Sequence, residues 1–460
     1  MKNYYILKPK NLNLDNRLEK FPPDFDFNKD CAYYIISKLI KNLSKQNLGD
    51  FSKTIKIFTS LCAQINEKTV RDTKKYLDYF YNNFPGEGRL LWRKNYQKGK
   101  CFSYRLPEYY WGDGELEIIC ITRSDLITKI KKVDTPHIAN IVKKKFNFTI
   151  DYFNATRFEL DEIGAMDIIY KQYQESGNFN KYLSNAVKIL EFKNGHYSFY
   201  HSPDTDGRLH TEITFFPKIC RQFLKYDGEN LAETDLSSSI PFFLSYVFSI
   251  PNNSNKSKIL NTQINSKDLI NHYMLAESSE TPCSKEIAYF KELIINNQLY
   301  EHFMDDFTDL PSFESNFLKQ FGRIFDGDEE DLKKFSKRRF LSMLFADPQD
   351  YIDEQSIFYK YFPSISNLIK KFKKLKFRSL RKADRHKKLS YLAFQLEAHF
   401  MINIIAREIN NLYKRKIPFF TLHDCIVVKE SDLEIVHQII KDIFIREIGY
   451  TPNLTKKIWI

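Results

Sequence analysis

Two aspartates, Asp235 and Asp424, occur in sequence settings that present a carboxylate to a metal ion. Asp235 ends a short apolar run, and the serines between it and Pro241 suit the cap and first turn of a helix. Asp424 lies at a polar His-Asp step between two β-rich runs, 418–422 and 425–428, which predicts a hairpin with an acid at its tip. Two acids on adjacent strand ends could hold paired divalent ions about 4 Å apart, an arrangement that clamps both oxygens of a phosphoryl transfer.

The composition is that of a globular protein with an anionic partner. The chain has 460 residues, of which 43% are apolar and 28% charged, a balance that argues against wholesale disorder and allows two or three domains. Its formal net charge of +12 favours binding to nucleic acid or to a membrane surface. Its 40 phenylalanines and 28 tyrosines are interleaved with basic residues, as a base-stacking groove requires, although most of these rings must belong to the core.

Cysteine spacing and hydropathy predict a soluble protein of a reducing compartment. The seven cysteines show no CxxC pair, so we expect reduced thiols and no zinc site. The segment 1–6 lacks the apolar core of a signal peptide, and the longest apolar run, around 240–250, is too short to span a bilayer. We therefore expect a cytoplasmic protein without a membrane partner.

The first 124 residues contain the pattern of a DNA-binding module. Residues 1–51 are polar and rich in turn residues, which predicts an extended lead-in with one helix. Residues 52–124 show two helical patterns followed by two strand-like runs, 98–105 and 115–121. Two helices and a two-stranded wing, in this order, are typical of a winged-helix module that binds duplex DNA, and a purely structural α+β subdomain is the alternative.

The remainder divides near Asn194 and Gly195. Residues 125–194 alternate helical stretches with basic clusters, whereas turn and strand patterns dominate after residue 195. Within the region 195–460 we expect mainly helix over 259–407, then the His-Asp hairpin, a further helix and a short tail.

Four segments of the region 195–460 carry polar residues in a definite order. They are Gly207-Arg208-Leu209-His210-Thr211; the Asp235 segment with Ser239 and Pro241; a basic helix from Lys333 to Phe345, followed by Gln395 and Glu397; and Leu422-His423-Asp424. In the third segment Lys333, Lys337, Leu341 and Phe345 recur every four residues, so a helix would align them on one face.

This series resembles the palm and fingers of the family A DNA polymerases, and especially the short, divergent polymerase-like proteins of phages and mobile elements. The family pattern runs Gly-Arg-Leu-His-Thr, Asp-x-x-x-Ser-x-Pro, a lysine-bearing helix, Gln-x-x-Glu-Ala and His-Asp; here the glutamine and glutamate are one residue closer together. The resemblance covers roughly residues 195–450. It implies an α+β fold with a right-hand palm and helical fingers, and a mostly helical N-terminal half with a thumb-like region at 125–194.

The resemblance also implies an activity and its cofactors. The protein would be a template-dependent nucleotidyltransferase that uses nucleoside triphosphates and two Mg²⁺ ions, with Mn²⁺ as a substitute, in replication of a phage or mobile element inside a bacterial host. Asp235, Asp424 and the main-chain carbonyl of Leu236 would be the metal ligands, since hard oxygen donors suit Mg²⁺.

Further roles follow from the resemblance for the basic helix and for the nucleic-acid strands. Lys337 would contact the phosphates of the incoming nucleotide and Lys333 its outer phosphates, while Phe345 would pack near the templating base. Arg338 or Arg339 could replace a lysine as the phosphate clamp. For the nucleic acid, Arg208 and Gln395 would reach the minor groove of the primer end, and His423 would orient the primer terminus or Asp424.

Three positions depart from the family pattern. The acid that usually follows His-Asp is Cys425, and the expected phenylalanine of the nucleotide helix is Leu341. Ile240 occupies the position at which DNA-synthesising members carry a glutamate that crowds the ribose 2′-hydroxyl, so the choice of sugar is open. Residues 1–190 show no cluster of acids for a proofreading exonuclease, and we expect none.

Each candidate residue also has a plainer interpretation. Asp235 could cap a helix, Asp424 could be a turn residue, and the basic helix could simply face solvent. Gln395 with Glu397 could be a buried polar pair, and His423 a core histidine. The alternative functions are a non-catalytic replication protein that binds origin DNA through a degraded palm, and an untemplated nucleotidyltransferase.

Overall fold

The computed structural model describes residues 3–46, 48–61, 69–94, 101–376 and 382–460. In these residues the chain forms an α+β fold with more helix than strand, which confirms the predicted fold class at this level. The buried hydrophobic side chains of the described residues form one contiguous core. The division into palm, fingers and thumb stays a prediction.

The predicted lead-in is part of a folded N-terminal unit. Strand β1 (Tyr4–Pro9) pairs antiparallel with β5 (Leu116–Ile121), and helix α2 (Lys29–Leu43) packs against β1 through a face that is almost wholly buried. Burial of these apolar surfaces ties residues before and after position 51 into one unit. The other helices described here are α1 (Asp15–Lys20), α3 (Phe51–Thr54), α4 (Thr73–Tyr81) and α5 (Glu108–Trp111).

The strands expected to form a wing pair elsewhere. Strand β4 (Ser103–Arg105) lies between β2 (Thr59–Ser60) and β3 (Trp92–Arg93), while β5 pairs with β1. The winged-helix prediction is therefore wrong about the wing, because the apolar strand β1 offers β5 a longer partner than β4 does. Residues 95–100, which include the start of the first predicted wing strand, lie outside the described residues. DNA binding by residues 52–124 stays a prediction.

Residues 125–194 are mainly helical, as expected, but they also contribute a strand to the sheet that follows. The helices are α6 (Ser124–Asp134), α7 (Asn140–Ile150), α8 (Glu162–Ser176) and α9 (Phe179–Lys193). Strand β6 (Phe158–Leu160) pairs with β9 (Leu224–Tyr226), so the main sheet crosses the boundary that the sequence suggests near residue 195.

A six-stranded antiparallel sheet carries the candidate site. Its order is β11 (Phe419–Leu422), β12 (Cys425–Lys429), β10 (Glu229–Leu236), β9 and β6, and β13 (Leu454–Ile458) pairs with β10 next to β9. A separate hairpin joins β7 (Phe199–His201) to β8 (Leu209–Thr211). The C-terminal tail, which the sequence does not predict as a strand, is β13 and borders the strand that carries Asp235.

Helices fill the rest of the region, in agreement with the sequence. Helix α17 (Glu329–Phe345) is the predicted basic helix, and it begins at Asp328, whose carboxylate accepts a hydrogen bond from the N–H of Asp331 at 2.9 Å. The others are α10 (Glu212–Phe215), α11 (Ser239–Ser249), α12 (Ser254–Gln263), α13 (Lys267–Ser279), α14 (Ser284–Ile295), α15 (Met304–Thr308), α16 (Phe313–Phe321), α18 (Ile352–Tyr361), α19 (Pro363–Lys374), α20 (Lys388–Ala398), α21 (Arg407–Tyr413) and α22 (Leu433–Ile448). A π-helix, His399–Ala406, joins α20 to α21.

One helical run is apolar and long enough to cross a membrane by length and composition alone. It extends over Asp384–Tyr413, and 67% of its most apolar window is buried inside the fold, as in the core helix of a globular protein.

Among the described cysteines, Cys101 departs from the expected reduced state. Cys31, Cys120, Cys220, Cys283 and Cys425 are free thiols, whereas Cys101 takes part in a disulfide.

Candidate active site

Strand pairing brings Asp235 and Asp424 to the same edge of the sheet. Asp235 pairs with Cys425, the residue after Asp424, and the N–H of Leu236 donates to the carbonyl oxygen of Asp424 at 3.1 Å. The connection between β11 and β12 has two residues, and the first, His423, adopts a left-handed conformation with φ of 56°. The predicted hairpin is therefore confirmed.

Burial and mutual repulsion disfavour the charged forms of these two acids. The pKa of Asp235 is raised to about 7 by burial and then by the charges of Asp424 and Glu233. Burial also raises the pKa of Asp424. The positive charge of Lys337 on α17 lowers both pKa values, so Lys337 lies within electrostatic reach of the two carboxylates. The structure thus brings Asp235, Lys337 and Asp424 into one region, although they are far apart in the sequence.

The donor atoms at this edge fit a divalent cation. Two neighbouring carboxylates supply hard oxygen donors, and in an antiparallel pair a residue turns its N–H and C=O to the same neighbour, so the Leu236 carbonyl is directed towards the Asp424 side. In the part of the chain that the structure describes, no three His, Cys, Asp or Glu side chains group as a metal site. An ion held by Asp235, Asp424 and Leu236 would therefore take its other ligands from water and substrate, as Mg²⁺ commonly does.

Binding of Mn²⁺ to the protein without substrate should weaken as the pH falls below about 7. The carboxylate of Asp235 must lose its proton to bind a metal ion, and its raised pKa places that competition near neutrality. We expect the dissociation constant to rise about fivefold between pH 7 and pH 6, for one displaced proton whose pKa is about 7. Electron paramagnetic resonance of free Mn²⁺ measures this directly, and Asp235→Asn is the control. An affinity that does not change between pH 6 and pH 8 would contradict the assignment.

Arg208 lies behind the two aspartates in a buried polar network. Its guanidinium donates to one carboxylate oxygen of Glu397 from Nε at 2.8 Å and from Nη2 at 2.6 Å, and the other oxygen accepts from Oγ of Ser239 at 2.7 Å. The guanidinium also stacks on Phe394, with 4.1 Å between Cζ and the ring centroid. Arg208 therefore links β8, α11 and α20, and a minor-groove contact from Arg208 would require this ion pair to open or to be shared.

Gln395 is only 2% exposed, and its amide is fully engaged. Its oxygen accepts from the N–H groups of Asn265 and Ser266 at 3.0 and 3.4 Å, and its Nε2 donates to the carbonyl of Thr205 at 3.0 Å. Gly207, with φ of 67°, packs so closely on Gln395 that an added Cβ would lie 3.4 Å from its Cα. Gln395 and Glu397 are therefore both buried, as the plainer interpretation expects, but each is hydrogen-bonded to other residues rather than paired with the other. A primer contact from Gln395 stays a prediction that requires these bonds to change.

Helix α17 exposes Lys337 and Arg338 but holds Arg339 inside the fold. Lys337 is exposed above the ring of Tyr300, at 5.7 Å from the ring centroid, and Arg338 is exposed as well. Arg339 forms an ion pair with Glu354, which is 3% exposed, so it is held inside the fold. Of the two arginines, Arg338 is therefore the one that remains accessible as a phosphate ligand.

Lys333, Leu341 and Phe345 lie along the same helix. The ammonium group of Lys333 forms an ion pair with Glu301. Leu341 and Phe345 are half-buried, and the Phe345 ring lies 5.8 Å from that of Phe394. Phe345 thus contacts the aromatic ring on which Arg208 stacks, and α17 is joined to the sheet side of the site through that ring.

His423 lies at the hairpin tip as a neutral imidazole. Burial and then the positive charge of Arg208 lower the pKa of His423 to about 4. Its ring centroid is 5.3 Å from that of His210, and its Nδ1 is buried without a hydrogen-bond partner in the described part of the chain. His210 in turn is paired with Asp206 at 2.8 Å. An uncharged ring with an unused nitrogen suits a group that positions a neighbour by hydrogen bonding.

Comparison with known proteins finds a distant likeness of fold. No protein-family model matches this chain, and no curated protein matches it. Over 64% of the chain, the fold is similar to the solved POL domain of Pol1 from M. smegmatis, in complex with DNA primer-template and dNTP, with 11% sequence identity and a TM-score of 0.33. The match spans 56% of that chain, little more than half its length. At this level of similarity, the function proposed below rests on the residues of this chain.

The sequence analysis did not select two residues that lie at the site, Glu233 and Tyr300. Glu233 precedes Asp235 by two positions and shares its face of β10, and its Oε2 lies 4.0 Å from Sγ of Cys425. A carboxylate thus lies beside the position where the usual third acid is missing, and strand alternation could have identified it. The hydroxyl of Tyr300 lies next to Ser238, and burial together with the negative charge of Asp424 raises its pKa. No local sequence pattern predicts a role for Tyr300, because it belongs to a helical segment that is far from Ser238 and Asp424 in the sequence.

Proposed function

We propose that this chain is a template-dependent nucleotidyltransferase of the DNA polymerase type, which extends nucleic-acid strands by two-metal phosphoryl transfer. The observation that carries the proposal is the meeting of Asp235 and Asp424 at one sheet edge, within electrostatic reach of Lys337. Two carboxylates near an exposed lysine form a site for divalent ions and for the phosphates that accompany them.

Different residues of the chain would bind the metal ions and the nucleotide phosphates. Asp235, Asp424 and the Leu236 carbonyl would hold two Mg²⁺ ions, or Mn²⁺ in their place. The chemistry such ions supply is activation of a primer 3′-hydroxyl and neutralisation of charge on the leaving pyrophosphate. Lys337 would pair with phosphates of the nucleotide, and its exposure above Tyr300 leaves it free to do so.

The remaining residues of the proposal lie around this centre. Lys333 and Arg338 on α17 would extend the phosphate contact, with Leu341 and Phe345 forming the wall near the templating base. His423 would position the primer terminus, and Arg208 and Gln395 would support it from behind, reaching the minor groove only if their internal bonds rearrange. We further propose that the protein acts in the cytoplasm of a bacterial host, in replication of a phage or mobile element.

The decisive experiment is extension of a labelled primer on a template by the purified protein with Mg²⁺. Reactions with four dNTPs or four NTPs run beside Asp424→Asn, which removes one metal ligand and leaves the basic surface intact. We expect template-length products that disappear in the variant, and the productive set identifies the sugar, which the half-buried Ile240 leaves open.

Other outcomes would each overturn part of the proposal. Equal extension by Asp424→Asn would remove that residue from the metal site. Products whose length does not depend on the length of the template would favour an untemplated nucleotidyltransferase. Stoichiometric DNA binding without any incorporation would favour the DNA-binding replication protein, for which the internal engagement of Arg208 and Gln395 is the supporting observation.

A further inference from the structure

A cavity of about 500 Å³ opens on the face of the sheet that carries Asp235. Glu233 pairs with Lys457 of β13 as Asp235 pairs with Thr455, so Glu233 and Lys457 lie on that same face. Residues two apart on a strand are roughly 7 Å apart, which places the cavity one such step from the catalytic carboxylate. Its charged and aromatic walls come from α9, the 3-10 helix Lys218–Phe223, β10, β13 and the residue after β13. They comprise Lys181, Lys218, Arg221, Glu233, Lys457 and Trp459.

The charges around this cavity are unbalanced. Its only acidic side chain, Glu233, is already engaged, since Arg221 lies at 3.7 Å and the indole N–H of Trp459 donates to it at 2.9 Å. Lys218 and Lys457 are exposed and form no ion pair with any carboxylate of the described residues, although the positive charge of Lys218 acts to lower the pKa of Asp235, just beyond the cavity.

The other two cations of the cavity add to this imbalance. Lys181 is likewise exposed and without an ion pair in the part of the chain that the structure describes. The Nε of Arg221 is buried there and has no hydrogen-bond partner. Four cations around one neutralised carboxylate repel one another, and a bound anion with several acceptor oxygens would relieve that repulsion.

The geometry points to a binding site for a phosphate group, and we infer that its source is the backbone of the nucleic-acid strand engaged at Asp235. This inference rests on the proposed function. The cavity lies on the same face of the sheet as Asp235, roughly 7 Å along β10. This position favours a nucleic-acid strand as the ligand, because a polymer bound at Asp235 is long enough to place a backbone phosphate in the cavity. Free pyrophosphate offers the same chemistry, and the experiment separates the two sources.

The test compares two double variants of the full chain with equal loss of charge. Lys218→Gln/Lys457→Gln removes two cavity lysines. Lys225→Gln/Lys456→Gln removes two neighbours outside the cavity, of which Lys456 pairs with Glu434 at 2.7 Å. Fluorescence anisotropy of a labelled single-stranded oligonucleotide in EDTA, over a range of salt concentrations, reports affinity without metal, nucleotide or catalysis. Circular dichroism and thermal unfolding check that both variants fold.

We expect the cavity variant to bind about tenfold more weakly than the control variant. The slope of log K against log salt should also fall by about 0.7 for each phosphate of a single strand that the variant no longer neutralises. Equal affinities and slopes in the two variants would exclude the strand as the ligand.

A pyrophosphate titration, followed by the fluorescence of Trp459 with Trp459→Phe to assign it, then decides the rest. If the two variants bind the strand equally, a change seen in wild type and abolished in the cavity variant would assign the site to a free phosphoanion, and no change would overturn the inference altogether. Because the assay contains no nucleotide, a failure of primer extension would leave this result intact, and the reverse also holds.

Discussion

Asp235→Asn should abolish nucleotide incorporation and, at the same time, stabilise the metal-free protein at pH 8. The activity should fall by roughly a thousandfold or more, because a metal ligand is removed rather than weakened. The stability gain has a separate origin. Folding raises the pKa of Asp235 from 3.8 to about 7, so the folded state disfavours the ionised form that prevails at pH 8. Removing that charge should raise the free energy of unfolding by about 1–2 kcal/mol.

The difference in the free energy of unfolding between wild type and Asp235→Asn should depend on pH. Stability due to neutral Asp235 is present below its unfolded pKa of 3.8 and is lost as the pH rises through about 7. Wild type and variant should therefore converge near pH 4, diverge between pH 4 and pH 7, and differ by a constant amount above that range. Thermal unfolding in EDTA measures the difference. Asp227→Asn is a matched control, since pairing with Arg157 lowers the pKa of Asp227 and its loss should act in the opposite direction at pH 8. A destabilised Asp235→Asn would show that burial and repulsion do not dominate at this site.

Arg208→Met should destabilise the protein by about 3–5 kcal/mol, because it leaves the carboxylate of Glu397 buried without a counter-ion. Glu397 is 1% exposed, and its remaining partner, the hydroxyl of Ser239, cannot neutralise a charge. Burial already raises the pKa of Glu397, and loss of Arg208 removes the main influence that lowers it, so the cost should be greatest above neutral pH.

A double-mutant cycle tests the cause of that destabilisation. Glu397→Gln removes the buried charge and, combined with Arg208→Met, should recover about half of the lost stability, measured by urea unfolding at pH 8. If the single Arg208→Met variant were destabilised by less than about 1 kcal/mol, the ion pair would be a weak interaction rather than a buried support of the site.

Local chemistry explains which parts of the site the sequence could predict. The strand that ends at Asp235, the helix that follows it and the two-residue turn at His423 and Asp424 each depend on neighbours within a few positions. The same holds for α17, where charged and apolar residues follow a helical period and an aspartate caps the first turn. These elements form as predicted because helical periodicity and turn preference depend on residues that are close together in the sequence.

The pairing of distant segments had to come from the tertiary structure. β5 pairs with β1 rather than with β4, and the polar tail forms β13 beside β10. A strand's partner depends on which arrangement buries most apolar surface across the whole sheet, and no window of neighbouring residues contains that comparison. The predicted wing failed for this reason.

The sequence by itself determined the types of the chemical groups and the local elements that carry them: two aspartates on strand ends, a basic helix, and arginine and glutamine in short motifs. Only the tertiary structure decided what each group faces. It brought Lys337 within electrostatic reach of both acids, paired Arg208 with Glu397, enclosed Gln395 and, among the described residues, left the lysines around Glu233 without ion pairs. The physical reason is that burial and electrostatic partnership depend on distances between segments far apart in the chain, whereas side-chain identity and backbone preference are properties of each residue and its neighbours.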